Sequence, residues 1–446
     1  MEIQLTQINP GLKIENVQKW RKIYYTCNEI AHMVTDHTIS TIETNLTRRT
    51  ALRMGGGALA AGLAGCLGAN GGAFQHEHDW PTFAHDAANT GHTRAQGPGD
   101  PELLWTKETG IVTTTPAVVE GVVYVGDVGG TVYALDAASG DEEWTYDVGE
   151  PVQGTSAVDD GAIYACGQNT AFRLSSDGSE EWSVELGVIT HPPTIVGDTL
   201  FVPTHGTLYA LDPESGEERW SAPNRSYAPA IADAAALTFR SEDDTDYAVA
   251  LDAETGEESW TYEWEGGGTL SLVSPSTGAG SVFFGTGGRE VLALDTETGE
   301  EAWRADAGRF ALQSPVVGDE TVYLGIEPMY PHDPMRGEGT GSSVLALNAQ
   351  TGDLSWRLDT GALGTAGSLA DETLYTRTLG GLSALDAGTG ETQWEFDAPF
   401  GLPWDGDGPM DDPPQVTEEF TSQPAVVDGA LFVGSPAGGI YAVGEA

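Results

Sequence analysis

Lysine is nearly missing from this chain. Only four of its 446 residues are Lys, and three of them precede residue 23, which leaves Lys107 alone in the body. Basic residues total 19 against 68 acidic ones, a formal net charge of −49. From residue 66 onward the balance is 12 to 63. A field of that sign repels phosphate and excludes nucleic acid as a partner. An acidic, lysine-poor composition suits a protein working in concentrated salt, so the expected source is an extreme halophile. Apolar runs of 18 residues are also absent, which excludes a multispanning membrane protein. Cysteine is limited to Cys27, Cys66 and Cys166, too few for a disulfide-rich secreted scaffold. Neither a G-x-S-x-G nucleophile motif nor an H-E-x-x-H metal motif occurs. What the chain does hold is aromatic residues, 12 Trp, 14 Tyr and 12 Phe. They recur in patterned strands and argue against a uniformly disordered acidic chain.

The N-terminal region reads as an address. Residues 1–46 differ in composition from the rest and are assigned to an over-extended, non-structural N-terminus. Residues 47–66, "TRRTALRMGGGALAAGLAGC", place Arg48 and Arg49 before a short Gly/Ala-rich segment. That segment is too short to anchor by spanning a bilayer. It resembles a twin-arginine export signal, with Ala51 in place of the usual aromatic. Leu63-Ala64-Gly65-Cys66 looks like a lipobox, which implies cleavage before Cys66 and lipid on its sulfur. The expected location is the extracellular face of the cytoplasmic membrane, with the lipid anchor as the membrane contact. Residues 67–79 read as a flexible tether. His76, His78 and Asp79 within it are read as polar tether residues rather than a metal site. Asn224-Arg225-Ser226 is a sequon on an inter-blade loop, open to glycosylation.

Repetition dominates from residue 80 to 446. Trp recurs at 105, 144, 182, 220, 260, 303, 356 and 394, at intervals of 38 to 53 residues. Most are preceded by copies of one phrase, from "YALDAASGDEEW" to "SALDAGTGETQW". The second copy, "FRLSSDGSEEW", is one residue short, and the last, "IYAVGEA", stops before any Trp. Each unit parses as four strands, A to D. In the first they are "TTPAVVEG", "VVYVGD", "TVYALD" and "EEWTYDV", apolar/polar alternation joined by Gly/Asp turns. A four-stranded unit of about forty residues is a propeller blade. The eighth unit lacks a Trp strand, and Trp105 in "ELLWTKE" lacks a preceding C strand. The two must pair, which gives an all-β, eight-bladed propeller with 3+1 closure of the last blade and no exposed sheet edge at the seam.

The phrase Ala-x-Asp-x-x-Thr-Gly-x-x-x-Trp resembles the tryptophan-docking motif of the pyrroloquinoline-quinone-like (PQQ-like) repeat propellers. Ala134, Asp136, Gly140 and Trp144 carry one copy; Asn348 replaces Asp in another, and Ser175 departs from the motif. "WPTFAHDAANTGH", Trp80 to His92, also looks like the segment leading into such propellers. The resemblance implies that Trp105, Trp144, Trp182, Trp220, Trp260, Trp303, Trp356 and Trp394 stack between neighbouring blades as a structural girdle. Quinoprotein alcohol dehydrogenases of this architecture use calcium held by Glu, Asn and Asp, a catalytic Asp, and a disulfide between adjacent Cys. No Cys-Cys pair exists here, and no calcium ligand can be matched by motif. Cys166, alone in "IYACG", reads as a small buried hydrophobe. "DGDG" at residues 405–408 opens like a calcium loop but lacks the downstream Glu. No cofactor and no catalytic residue are therefore expected, with PQQ and calcium the alternative. The expected function is noncatalytic binding or scaffolding of protein partners at the cell surface.

Two insertions break the regular spacing. Residues 327–342 lengthen the B–C connection of blade 6, and residues 398–419 lengthen the D–A connection between blades 7 and 8. Strand alternation sends both to the same face. Tyr330, His332, Arg336, Trp404 and Met410 are the expected binding rim, because long loops on a rigid scaffold commonly carry binding.

Overall fold

The computed structural model describes residues 78–445 except 113, 153, 155, 226, 267–269, 271–272, 309, 312, 328–341, 361–364, 379–380, 398–422 and 436–437. These residues form eight small sheets and no helix, antiparallel except where the two-residue strand His92–Thr93 adds in parallel to blade 7. The sheets are the blades of an eight-bladed β-propeller. Blade 1 runs Ala117–Val119, Val122–Gly126, Thr131–Asp136 and Glu142–Asp147. Strands B, C and D follow the sequence parse closely. Strand A is shorter, three residues in most blades, because the polar and Pro-containing residues before it turn in from the rim instead of extending the ladder.

The eighth blade closes as the chain's two ends require. Glu102–Lys107 pairs antiparallel with Gly439–Gly444, Trp105 lying opposite Ala442, and Ala425–Val427 and Ala430–Ser435 complete the sheet. A large hydrophobic cluster spans this seam, joining Trp80, Trp105, Val123, Tyr375, Phe432 and Ile440.

The repeated phrase has a local physical reading. In blade 1 the Asp136 carboxylate accepts from the Ala138 and Ser139 amides and from Ser139 Oγ at 2.8–3.1 Å, which caps the C–D turn. Asp212, Asp252, Asp295 and Asp386 cap their turns in the same way. Asn348 caps its turn with Oδ1. In the short second copy the cap passes to Asp177. The turn Gly is left-handed, at φ +74° for Gly140, and the indole of the preceding blade lies on it. A Cβ there would come within 2.7 Å of the Trp105 ring. Only glycine meets both demands.

Just before each Trp the C–D ladder slips by one residue, so that in blade 1 Leu135 faces Glu142 while Ala134 faces Trp144. Such a bulge re-aims the side chain that follows it. All eight indole Nε1 groups then donate to a carbonyl of the next blade, at 2.8–3.2 Å. The acceptors are Ala137, Ser176, Pro213, Ala253, Thr296, Ala349, Ala387 and Pro98. The last closes the circle: Pro98, on the stretch leading to the outer strand of blade 8, serves Trp394 where no C–D turn exists.

Candidate functional site

A propeller offers a binding surface where its inner strands surround a central channel, and the two ends of this channel differ. At the A–B end the chain's own segment 80–96 lines the channel as an added inner strap. Trp80 exchanges two 2.7 Å backbone hydrogen bonds with Val118 of blade 1. The carbonyls of Pro81, Ala87, Ala88, Thr90, Gly91 and Gln96 accept from Val158, Ile231, Thr277, Val317, Leu369 and Gly429 at 2.7–2.9 Å. These donors belong to blades 2, 4, 5, 6, 7 and 8. Asn89 reaches along the channel and donates through Nδ2 to the carbonyls of Pro229 and Pro275, both at 3.0 Å. Trp80 is fully buried. The segment "WPTFAHDAANTGH", read from sequence as a lead-in, is thus bonded across the inner strands of the ring.

On the outer side of the strap, His78, Asp79, His85, His92, Thr93, Arg94 and Asp319 line a pocket of about 390 Å³. His78 Nδ1 lies 2.9 Å from Asp428, and His85 Nδ1 lies 3.6 Å from Asp86. Burial lowers the pKa of His92 from its ordinary value, against the opposing charge of Asp319.

The opposite end, where the B–C and D–A connections emerge, is open to elaboration. The blade 6 insertion leaves strand Thr321–Glu327 and rejoins at Ser343–Asn348; the other runs from Thr392–Asp397 to Ala425–Val427. Tyr330, His332, Arg336, Trp404 and Met410 lie outside the described residues, as do the 405–408 loop, His76, Cys66, Arg48 and Arg49. The described strands that each insertion connects have the flanking ends on this side.

A third elaboration was missed at the sequence level. The B and C strands of blade 4, Ala235–Glu242 and Thr245–Asp252, run eight residues each where those of blade 5 run five and six. Asp243 and Asp244, both left-handed, close the hairpin. That Asp-Asp pair between alternating strands was the available signal. Asp246 is its hub. Its carboxylate takes Arg225 Nη1 at 2.5 Å, Ser241 Oγ at 2.5 Å and the Leu270 amide at 2.9 Å, while its carbonyl accepts from Trp264 N. Arg240 stacks 4.5 Å over Tyr247, and Arg304 5.2 Å over Trp264. Behind the hairpin an aromatic chain links His191, Tyr227, Phe239 and Phe284, with centroids 5.0–6.2 Å apart. Each of the two stacked arginines is also paired with acids, Arg240 with Glu242 and Glu258 and Arg304 with Glu290 and Glu301, so this wall offers stacked aromatic surface rather than free positive charge.

Asn224 corrects the reading of the sequon. It ends strand Glu218–Asn224 rather than sitting on a loop, is 4% exposed, donates to the Tyr227 carbonyl and accepts from Thr238. A buried amide with both ends bonded cannot receive a glycan without local unfolding.

For a quinone with calcium, the described residues do not fit. No three His, Cys, Asp or Glu side chains among them converge on a cation-sized site. Cys166, buried in blade 2, has its thiol pKa pushed up by desolvation, so it is held as an inert thiol with no neighbouring Cys.

A family model described as outer membrane protein assembly factor BamB matches residues 89–245 and 244–401. The chain is 26% identical over 282 residues to the outer membrane protein assembly factor BamB of Burkholderia pseudomallei, covering 58% of this chain and 70% of that protein. It is 28% identical over 204 residues to the quinohemoprotein alcohol dehydrogenase of Comamonas testosteroni, covering 41% of this chain and 25% of that one. Among solved structures, BamB from Moraxella catarrhalis superposes with a TM-score of 0.61 at 16% identity, over 78% of this chain and all of that one. The Comamonas dehydrogenase gives 0.59 at 17% identity, over 82% of this chain and 81% of that one. At such identities the structural likeness speaks to the fold alone.

Proposed function

Because the chain belongs to the PQQ-like repeat propeller family, whose relatives include an assembly factor and an alcohol dehydrogenase, we propose that it is a noncatalytic propeller that binds or scaffolds protein partners. It works outside the cell, held to the cytoplasmic membrane by lipid on Cys66 after twin-arginine export. One observation carries the binding role: the chain's own strap is bonded to the inner strands at one end, while the blade 4 hairpin and the described strand ends that flank both long insertions lie at the other. A face built from a long hairpin and two long connections over a rigid ring is the usual location of binding. The absence of a donor cluster among the described residues weighs against the quinone reading, which keeps the dehydrogenase relative in its favour.

The test is capture of partners from native membranes in molar KCl. Trimming either insertion, residues 327–342 or 398–419, to a short Gly-containing turn should leave the fold intact and abolish capture. If the doubly trimmed protein retains the same partners, the functional face lies elsewhere. Incubation with PQQ and calcium tests the alternative; a stoichiometric quinone spectrum with alcohol oxidation would replace the binding role. Cys66→Ser should release the protein from membranes, and wild-type fractionation would remove the anchor.

A further inference from the structure

The strap differs from the ring it fills. Twelve non-glycine residues have positive φ among those described, and nine of them sit in hairpin turns, where such geometry belongs to the turn. The other three are Ala84 at +49°, His85 at +73° and Asn89 at +55°, all inside the strap, in two tight turns closed by His85 N to Thr82 O and Asn89 N to Asp86 O rather than in hairpins between strands. Backbone strain that the surroundings must hold in place is therefore concentrated in one short segment.

Polar satisfaction shows the same concentration. Three buried side-chain polar atoms of the strap, Trp80 Nε1, Thr82 Oγ1 and Asn89 Oδ1, have no hydrogen-bond partner among the described residues, and His85 Nδ1 has only the 3.6 Å approach of Asp86. Around the rim, by contrast, every docking indole is bonded. The strap is held by backbone hydrogen bonds to seven blades, and blade 3 alone contributes none among the described residues. Its strand Thr194–Val196 faces the stretch where the strap turns on itself through His85 N to Thr82 O and Gly91 N to Ala84 O.

The strap supplies none of the eight indole docks, although its Trp80 packs into the cluster at the seam. The ring's blades are joined by the indole docks, and the chain reaches the outer strand of blade 8 through residues 97–101, after the strap has ended. An element that is strained, incompletely satisfied and topologically separable is the part of a fold expected to open below the free energy of global unfolding.

We propose that residues 80–96 form a releasable plug, leaving and re-entering the channel as one unit while the eight-bladed ring stays folded. Docked, the plug covers the inner strands at the A–B end. Released, it opens a passage through the disc and bares the inner edges of seven strands. The inference is independent of the binding role proposed above.

Amides that donate to the strap report its release directly. In peptide-resolved hydrogen exchange on the full chain in molar KCl, the amides of Val158, Ile231, Thr277 and Val317 should exchange together. They should exchange at least roughly a hundredfold faster than strand C amides such as those of Val132 and Leu292, since release is a sub-global opening. Ala84→Gly, which removes a left-handed alanine, should slow the four reporters by roughly five- to tenfold. Trp80→Ala should speed them by roughly a hundredfold or more while the ring keeps its cooperative unfolding transition. Reporters that exchange at the rate of strand C in the wild type would overturn the proposal. Loss of the ring transition in Trp80→Ala, with no change in Ala84→Gly, would overturn it equally.

Discussion

At the rim of the ring eight indoles meet eight carbonyls of the next blade in one repeated geometry, whereas at the axis a single irregular segment meets seven blades, taking the equivalent strand A amide of six of them onto carbonyls that are unevenly spaced along the strap. The rim solution is modular: a capped turn, a left-handed glycine beneath the ring, a bulge before it and one hydrogen bond. Each copy is a nearest-neighbour contact, so stability at the rim accumulates blade by blade, as in other repeat architectures. The axis solution is singular. It takes on strained backbone and orphaned polar groups so that one segment can follow an eightfold wall. The two regions therefore differ in how damage should spread: a rim lesion reaches the global transition, and an axis lesion stays local.

Lowering the salt is the harshest challenge to the rim. Adjacent acids, Glu142-Glu143, Glu180-Glu181, Glu217-Glu218, Glu257-Glu258 and Glu300-Glu301, stand at or beside the start of five outer strands, and Lys107, Arg173, Arg240 and Arg304 each pair with one acid of four of these pairs. The screening length is about 3 Å at 1 M and about 10 Å at 0.1 M. Repulsion among outer strands should therefore be silent in molar KCl and dominant below a few tenths molar. The expected outcome is loss of the cooperative thermal transition there, read by calorimetry against KCl. An unfolding temperature that stays flat with salt would mean that the acids are solvation without consequence.

Trp303→Ala strikes one dock at 8% exposure. Removing a nearly buried indole from an interface that cannot collapse should cost about 3–5 kcal/mol of global stability, seen as a lowered unfolding midpoint. Trp80→Ala removes an indole that is more deeply buried, yet it should move the midpoint far less, because the strap opens by itself. Equal shifts for the two variants would erase the distinction between rim and axis.

The same distinction explains which parts of the molecule were legible in the sequence. The docks were legible because they repeat: the Trp spacing gave the blade count, and the orphan Trp105 gave the closure with Gly439–Gly444. The strap was visible only as a resemblance, since a segment that occurs once has no internal copy to compare, and its partners are the backbones of distant strands. Nothing in "AHDAAN" announces three left-handed residues, two of them not Gly, Asn or Asp. The blade 4 hairpin was hidden for a different reason. Two or three extra residues per strand change the Trp interval little, and its hub, Asp246, is one acid among 68. Asn224 was misplaced because a sequon says nothing of the final strand residue on which it falls.

The smallest expected effect is also confined to the axis. His92, on the short strap strand that pairs with Leu369 and Ala370 of blade 7, is held below its ordinary pKa chiefly by burial. His85 and Arg94 push in the same direction, while Asp319, on the A–B turn of blade 6, and Asp86 oppose them. The docked strap thus favours the neutral imidazole. A freed strap takes up a proton near pH 6.5, so below that value the released form binds more protons than the docked one. The contribution of His92 to docking is complete above pH 6.5 and is lost as pH falls through its lowered value. Asp212, held at about 2 by its hydrogen bond to Arg219, does not titrate in that window and leaves the rim unmoved. Exchange of the Val317 and Leu369 amides should therefore quicken between pH 7 and pH 5, after correction for the intrinsic pH dependence of exchange, while strand C amides hold steady. His92→Gln, neutral throughout, should flatten the response. A slope that survives the substitution would assign it to another group at the strap.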